Sequence, residues 1–163
     1  MSSPASIAKH PIHPMLVVLP IGLWIFSLVS DVIYLMNWGP AVWKDVALYT
    51  MAGGTAGALI AAVPGFVDLI SMSKGRVRQI GIWHMSINLT IVVLYGINLW
   101  LRTTGSPSAT EPVWLSVIGV LLLGVSGWLG GEMVYVHGVG VEPQSKRERV
   151  EDQPGSSAPR RVA

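Results

Sequence analysis

The sequence contains no cysteine and few charged residues, and each absence excludes a class of protein. Without cysteine the chain has no disulfide, no thiolate metal site, no cysteine-held iron–sulfur cluster and no Cys-x-x-Cys-His haem attachment. Charged residues make up 12% of its 163 positions, whereas soluble domains have about a quarter. Hydrophobic residues make up 51%, and the mean hydropathy is +0.53. This composition indicates a protein that is surrounded by lipid.

The sequence also lacks the short motifs of common enzyme classes. It has no phosphate loop and no nucleophile elbow, and the two histidines of His10-Pro11-Ile12-His13 are not a zincin motif, because the prolines prevent the required regular helix. The formal net charge is only +2, which argues against a nucleic-acid surface. We therefore predict neither an enzyme nor a nucleic-acid-binding protein.

Four long apolar stretches predict an all-α membrane protein with an up-down four-helix transmembrane bundle. The predicted domain covers residues 10–141, with helices at about 14–36, 46–72, 80–101 and 113–137. Each stretch is long enough to cross a hydrocarbon layer of about 30 Å, and the short connections make sequential helices antiparallel neighbours. We expect residues 1–9 and the charged, proline- and serine-rich residues 142–163 to be disordered. No internal repeat is evident in the sequence.

The distribution of cations predicts the orientation in the membrane. In a four-span protein, most lysines and arginines fall on one side: Lys9, the loop with Lys74, Arg76 and Arg78, and the C-terminal tail. The positive-inside rule then places both termini and the second loop in the cytoplasm. The helices contact the lipid bilayer, and their faces of small residues would permit a homodimer.

All four histidines lie toward the predicted cytoplasmic end of the bundle. His10 and His13 precede or begin the first span, His84 lies near the start of the third, and His137 lies near the end of the fourth. His84 is six residues beyond Arg78 and thus about 9 Å deeper along the helix, where a polar side chain needs a partner inside the bundle. Because the first and third helices are diagonal in an up-down bundle, we expect His13 and His84 to face each other.

Two histidines on facing helices are the arrangement that binds haem b through both axial positions. The sequence therefore favours His13 and His84 as haem ligands, with His10 and His137 as spare or second-site ligands. The protein would then be a small electron-transfer subunit.

Two alternatives remain open from the sequence. Imidazole and carboxylate groups also bind transition metals, and the candidate metal ligands are His10, His13, His84, His137, Asp68 and Glu132. Alternatively the protein is a structural or assembly subunit without a cofactor. In that case Asp68 pairs with Lys74 or Arg76, and Glu132 pairs with Arg78.

The chain resembles a family of small bacterial four-span membrane proteins catalogued as domain of unknown function 2231. The resemblance covers about residues 9–141 and lies in His10–Val17, Leu19–Gly22, Ala62–Asp68, His84 and Gly130–Val141. Members of that family occur fused to Rieske-type or cytochrome c-type modules. The resemblance implies a bacterial inner-membrane location, a place in electron transfer and a redox partner protein.

Overall fold

The computed structural model describes residues 3–8, 10–105 and 112–141, and within them the chain forms a bundle of long helices. The helices are α1 (Ile12–Leu16), α2 (Val18–Leu35), α3 (Val42–Ser71), α4 (Arg76–Thr104) and α5 (Val113–Gly131), and α5 continues as a π-helical turn, Glu132–Val136. Within these ranges, four helical stretches are long and apolar enough to cross a membrane: Ile12–Leu35, Val42–Ser71, Arg76–Thr104 and Val113–Val136. The predicted all-α, four-span bundle is confirmed.

The N-terminal residues differ from the prediction of disorder. Ser6–Ile7 (β1) pairs with His10–Pro11 (β2) in a short antiparallel ladder. The prediction is therefore wrong for residues 3–8, because these residues bond to one another and to the end of α3, which local composition does not reveal. The tail, residues 142–163, lies outside the described part of the chain.

A proline explains why the first span is divided into two helices. Pro20 has no N–H and its ring crowds the carbonyl of Leu16, four residues earlier. The regular helix is interrupted nearby, at Val17, which separates α1 from α2. His13 consequently lies on a helix of only five residues.

The bundle consists of two similar helical hairpins, α1–α2 with α3 and α4 with α5. The helices α2 and α4 are diagonal, and each packs against both α3 and α5. Three pairs of side chains meet across this diagonal, with partners 71 residues apart in each case: His13 with His84, Trp24 with Tyr95, and Asp31 with Arg102. The structure thus contains an internal two-fold repeat that we did not find in the sequence.

The middle pair forms the centre of the core. The rings of Trp24 and Tyr95 stack with centroids 4.4 Å apart, and both residues are almost fully buried. Each ring lies over a glycine of its own hairpin: a Cβ at Gly54 would be 2.7 Å from Trp24, and one at Gly119 would be 2.7 Å from Tyr95. These glycines are 65 residues apart, so the repeat extends to the second helix of each hairpin.

Candidate functional site

His13 is fixed against helix α3 through one ring nitrogen. Its Nδ1 lies 2.8 Å from the backbone oxygen of Ala61. A carbonyl oxygen only accepts hydrogen bonds, so Nδ1 carries the hydrogen and donates it. In the neutral ring Nε2 then has the lone pair that binds a metal.

The Pro64-Gly65 pair of α3 forms the surface against which the His13 ring packs. Pro64 cannot donate to the carbonyl of Ile60, which disrupts the ladder of helix hydrogen bonds beside Ala61. Gly65 has no side chain, whereas a Cβ at this position would collide with the imidazole, since it would be 2.7 Å from Nδ1 of His13. Both residues therefore give the ring access to the helix backbone.

His84 is fixed in the same way against helix α5. Its Nδ1 lies 2.9 Å from the backbone oxygen of Ser126 and 3.1 Å from the hydroxyl of the same residue. Asn88 donates its amide to that hydroxyl at 2.6 Å and to the carbonyl of His84 at 2.8 Å. This network determines the ring's tautomer and leaves the lone pair on Nε2.

The two histidines use equivalent sites, which we call carbonyl–glycine notches: Ala61 with Gly65, and Ser126 with Gly130. In an α-helix the carbonyl of residue i points toward residue i+4, so a ring that reaches the carbonyl passes over that residue. Glycine occupies it in both notches, and a Cβ at Gly130 would be 3.4 Å from Cε1 of His84. The notches are also 65 residues apart.

The imidazoles of His13 and His84 meet across the bundle, as predicted. Their centroids are 6.2 Å apart and their planes are nearly perpendicular, at 88°. Among the described residues neither Nε2 has a hydrogen-bond partner. Nitrogen–metal bonds to histidine are about 2.0–2.1 Å long, so rings at this separation have space for one ion between them.

The other two histidines lie apart from this pair. His10 is exposed, and its Nδ1 is 2.9 Å from the oxygen of Ala8. His137 follows the π-helical turn, and its Nε2 is 3.9 Å from Glu132, which is too far for a hydrogen bond. Their assignment as spare or second-site ligands stays a prediction.

Asp68 does not pair with Lys74 or Arg76, which was the expected alternative. One of its oxygens accepts hydrogen bonds from the hydroxyl of Ser3 and the amide of Ala5. Within the described ranges, no three histidine, aspartate or glutamate residues come together in a group that could hold a metal ion. The six candidate ligands of the metal alternative are therefore not assembled.

The opposite end of the diagonal carries a buried ion pair. Arg102 donates two hydrogen bonds of 2.7 Å to the carboxylate of Asp31, and both side chains are at most 2% exposed. Arg102 also donates to Asn98, whose amide donates to Ser116. Arg102 thereby links Asp31 to Asn98.

The notches and their supporting residues are the part of the site that the sequence analysis missed. The signal was present as spacing, because the half-buried Gly65 and Gly130 follow the buried glycines Gly54 and Gly119 by 11 residues each. His13 and His84 precede Trp24 and Tyr95 by the same 11 residues. Only the contacts show that the two spacings belong to one repeated arrangement.

Comparison with known proteins assigns the chain to a family without a known function. No curated protein and no solved structure matches it. Residues 9–143, which include all of the long helices and both notches, match a family of predicted membrane proteins. The protein belongs to this family, DUF2231.

Proposed function

We propose that the protein is a small electron-transfer subunit that binds haem b, with Nε2 of His13 and Nε2 of His84 as the two iron ligands. The observation that supports this most directly is the pair of notches. Each notch holds Nδ1 of one histidine and leaves Nε2 without a partner among the described residues, and the ring centroids lie 6.2 Å apart.

The number of ligands favours haem over a divalent metal ion. Zinc and similar ions in proteins are held by three or four protein ligands. Haem iron needs only its axial ligands from the protein, because the macrocycle supplies the other four nitrogens. The described residues bring two imidazoles together without a third histidine or carboxylate, and this donor set fits haem.

The residues around the rings suit two permanently oriented ligands. Ser126 holds the His84 ring through its carbonyl and its hydroxyl, and Asn88 donates to that hydroxyl. Such contacts make an imidazole a better ligand. The backbone of Ala61 does the same for His13. Haem bound here would supply a one-electron redox couple, and the chain would catalyse no reaction of its own.

We place the protein in a bacterial inner membrane with both termini in the cytoplasm, so that the His13–His84 pair lies toward the cytoplasmic side. A redox partner protein would then exchange electrons from that side. Both proposed ligands come from one chain, so the site does not require a homodimer. A C-terminal reporter that is active only in the cytoplasm should be active, and activity only of an extracytoplasmic reporter would overturn this orientation.

An optical spectrum tests the proposed cofactor. The full chain is expressed with added haem precursor and purified in mild detergent. The absorbance spectrum of the oxidised protein is then subtracted from that of the reduced protein. We expect sharp α and Soret bands that are lost in His13→Ala and in His84→Ala. The matched controls His10→Ala and His137→Ala should keep them.

A featureless spectrum from folded wild-type protein would refute the haem proposal. Elemental analysis of the same sample would then distinguish the two alternatives. A stoichiometric metal would favour a metal-binding protein, and its absence would favour a structural or assembly subunit.

A further inference from the structure

The two histidines of the site differ in how firmly their own helices hold them. His84 lies eight residues inside α4, a continuous helix of 29 residues. His13 is the second residue of α1, which has five residues, includes Pro14 and ends before Val17. Such a short helix is unstable by itself, so the position of His13 needs support from outside α1.

Besides the hydrogen bond to Ala61, this support comes from the preceding residues, which we call the N-terminal strap (residues 3–8, 10 and 11). The strap folds back on itself through the β1–β2 ladder. The oxygen of Ala5 accepts a 2.9 Å hydrogen bond from the amide of Ile12, the first residue of α1. The first amides of a helix have no partner within the helix, so Ala5 takes the place of a cap.

Asp68 attaches the strap to the wall of the site. Its Oδ1 accepts hydrogen bonds from the hydroxyl of Ser3 at 2.7 Å and from the amide of Ala5 at 3.2 Å. Asp68 lies three residues after Gly65, on the helix against which the His13 ring packs. A continuous series of contacts therefore leads from Asp68 through Ala5 and Ile12 to His13.

We infer that Asp68 is a positioning residue for His13, acting through the N-terminal strap. The inference rests on the proposed function only in treating His13 as a cofactor ligand. Asp68 itself need not touch the cofactor. The repeat supports this assignment, because the equivalent position 65 residues later is Met133, and the continuous α4 needs no such attachment.

The test compares Asp68→Ala with Asp68→Asn in the full chain, because an asparagine oxygen can still accept both hydrogen bonds whereas alanine cannot. The first readout needs no cofactor: ¹⁵N NMR of the histidine rings in detergent, without haem. In Asp68→Ala we expect His13 to lose its single Nδ1–H tautomer while His84 keeps its own. Asp68→Asn should resemble the wild type, and Ser3→Ala should give a smaller change in the same direction.

The second readout is haem affinity, which we expect to fall about 10-fold in Asp68→Ala, as for other residues that orient a ligand. Ser71→Ala is the matched control, since its hydroxyl donates to the backbone carbonyl of Asp68 and leaves the carboxylate untouched. Unchanged His13 signals in Asp68→Ala would overturn the inference. The inference would also be overturned if Asp68→Ala changed the ring signals of His84 as much as those of His13. The same holds if Asp68→Asn changed the His13 signals as strongly as Asp68→Ala does. If the wild type binds no haem but the His13 signals change as expected, the proposed function fails and the positioning role stands.

Discussion

At the scale of single residues, one hydrogen bond decides what each central histidine can bind. Both Nδ1 atoms donate to a backbone carbonyl of the neighbouring helix, so both Nε2 atoms have the free lone pair. If the two histidines served only as packing groups, nothing would require both of them to donate through Nδ1 and keep the lone pair on Nε2. The carbonyl–glycine notches are therefore the residue-level feature that most favours a ligand role.

The notch glycines give the first prediction. Alanine is normally better than glycine inside a helix by about 1 kcal/mol. Gly65→Ala should nevertheless destabilise the protein by about 1–3 kcal/mol, because its Cβ would be 2.7 Å from Nδ1 of His13. Gly130→Ala should have a smaller effect, since the nearest atom of His84 is 3.4 Å away. Thermal unfolding in detergent measures both.

The control for this comparison is Gly124→Ala, on the same helix as Gly130. A Cβ at Gly124 meets nothing within 4 Å, so this variant should be neutral or slightly more stable. If Gly65→Ala proved as stable as Gly124→Ala, the proposed packing of His13 against α3 would be wrong.

The meeting of His13 and His84 could be predicted, whereas their hydrogen bonds could not. Depth in the membrane and the up-down order of the helices were enough to place the two rings opposite each other. The partners are backbone carbonyls of Ala61 and Ser126, and a carbonyl is present at every residue, so no side chain marks it. Likewise the role of Asp68 depends on residues 3–8, whose local composition suggested disorder.

At the scale of elements, the two hairpins use equivalent glycines to bring their helices together. Trp24 packs over Gly54 within the first hairpin, and Tyr95 packs over Gly119 within the second. The two rings then stack on each other between the hairpins. This symmetry makes a quantitative comparison possible.

We predict that Gly54→Ala and Gly119→Ala destabilise the protein to a similar extent, about 1–3 kcal/mol each. Both would place a Cβ 2.7 Å from an aromatic ring that is almost fully buried. Gly22→Ala and Gly96→Ala, one in each hairpin with nothing within 4 Å, are the controls. A large loss of stability in only one of these two variants would contradict the structural equivalence of the hairpins.

At the scale of the whole molecule, the polar pairs lie near the two ends of the membrane-spanning bundle. From His13 to Asp31 there are 18 residues, or about 27 Å of helix, close to the thickness of the hydrocarbon layer. The His13–His84 pair is at one end and the Asp31–Arg102 pair at the other. The repeat is hard to find in the sequence because, of the three side-chain pairs that meet across the diagonal, only the histidine pair is chemically identical in the two halves.

The ion pair gives the third prediction. Asp31→Leu should destabilise the protein by about 3–5 kcal/mol, because Arg102 would remain buried without its carboxylate. Exchanging the two residues, Asp31→Arg with Arg102→Asp, should recover part of this loss. A double-mutant cycle in detergent measures the coupling. If the single variant and the exchange were equally unstable, the pairing would contribute nothing to stability.

In the proposed site, His13 and His84 hold one haem together. Electron paramagnetic resonance of the oxidised protein tests it most directly, because two imidazole ligands make the iron low-spin. We predict a low-spin signal in the wild type that disappears or becomes high-spin in His13→Ala and in His84→Ala. A wild-type sample without haem, or a haem signal that either substitution leaves unchanged, would contradict the binding of haem by His13 and His84.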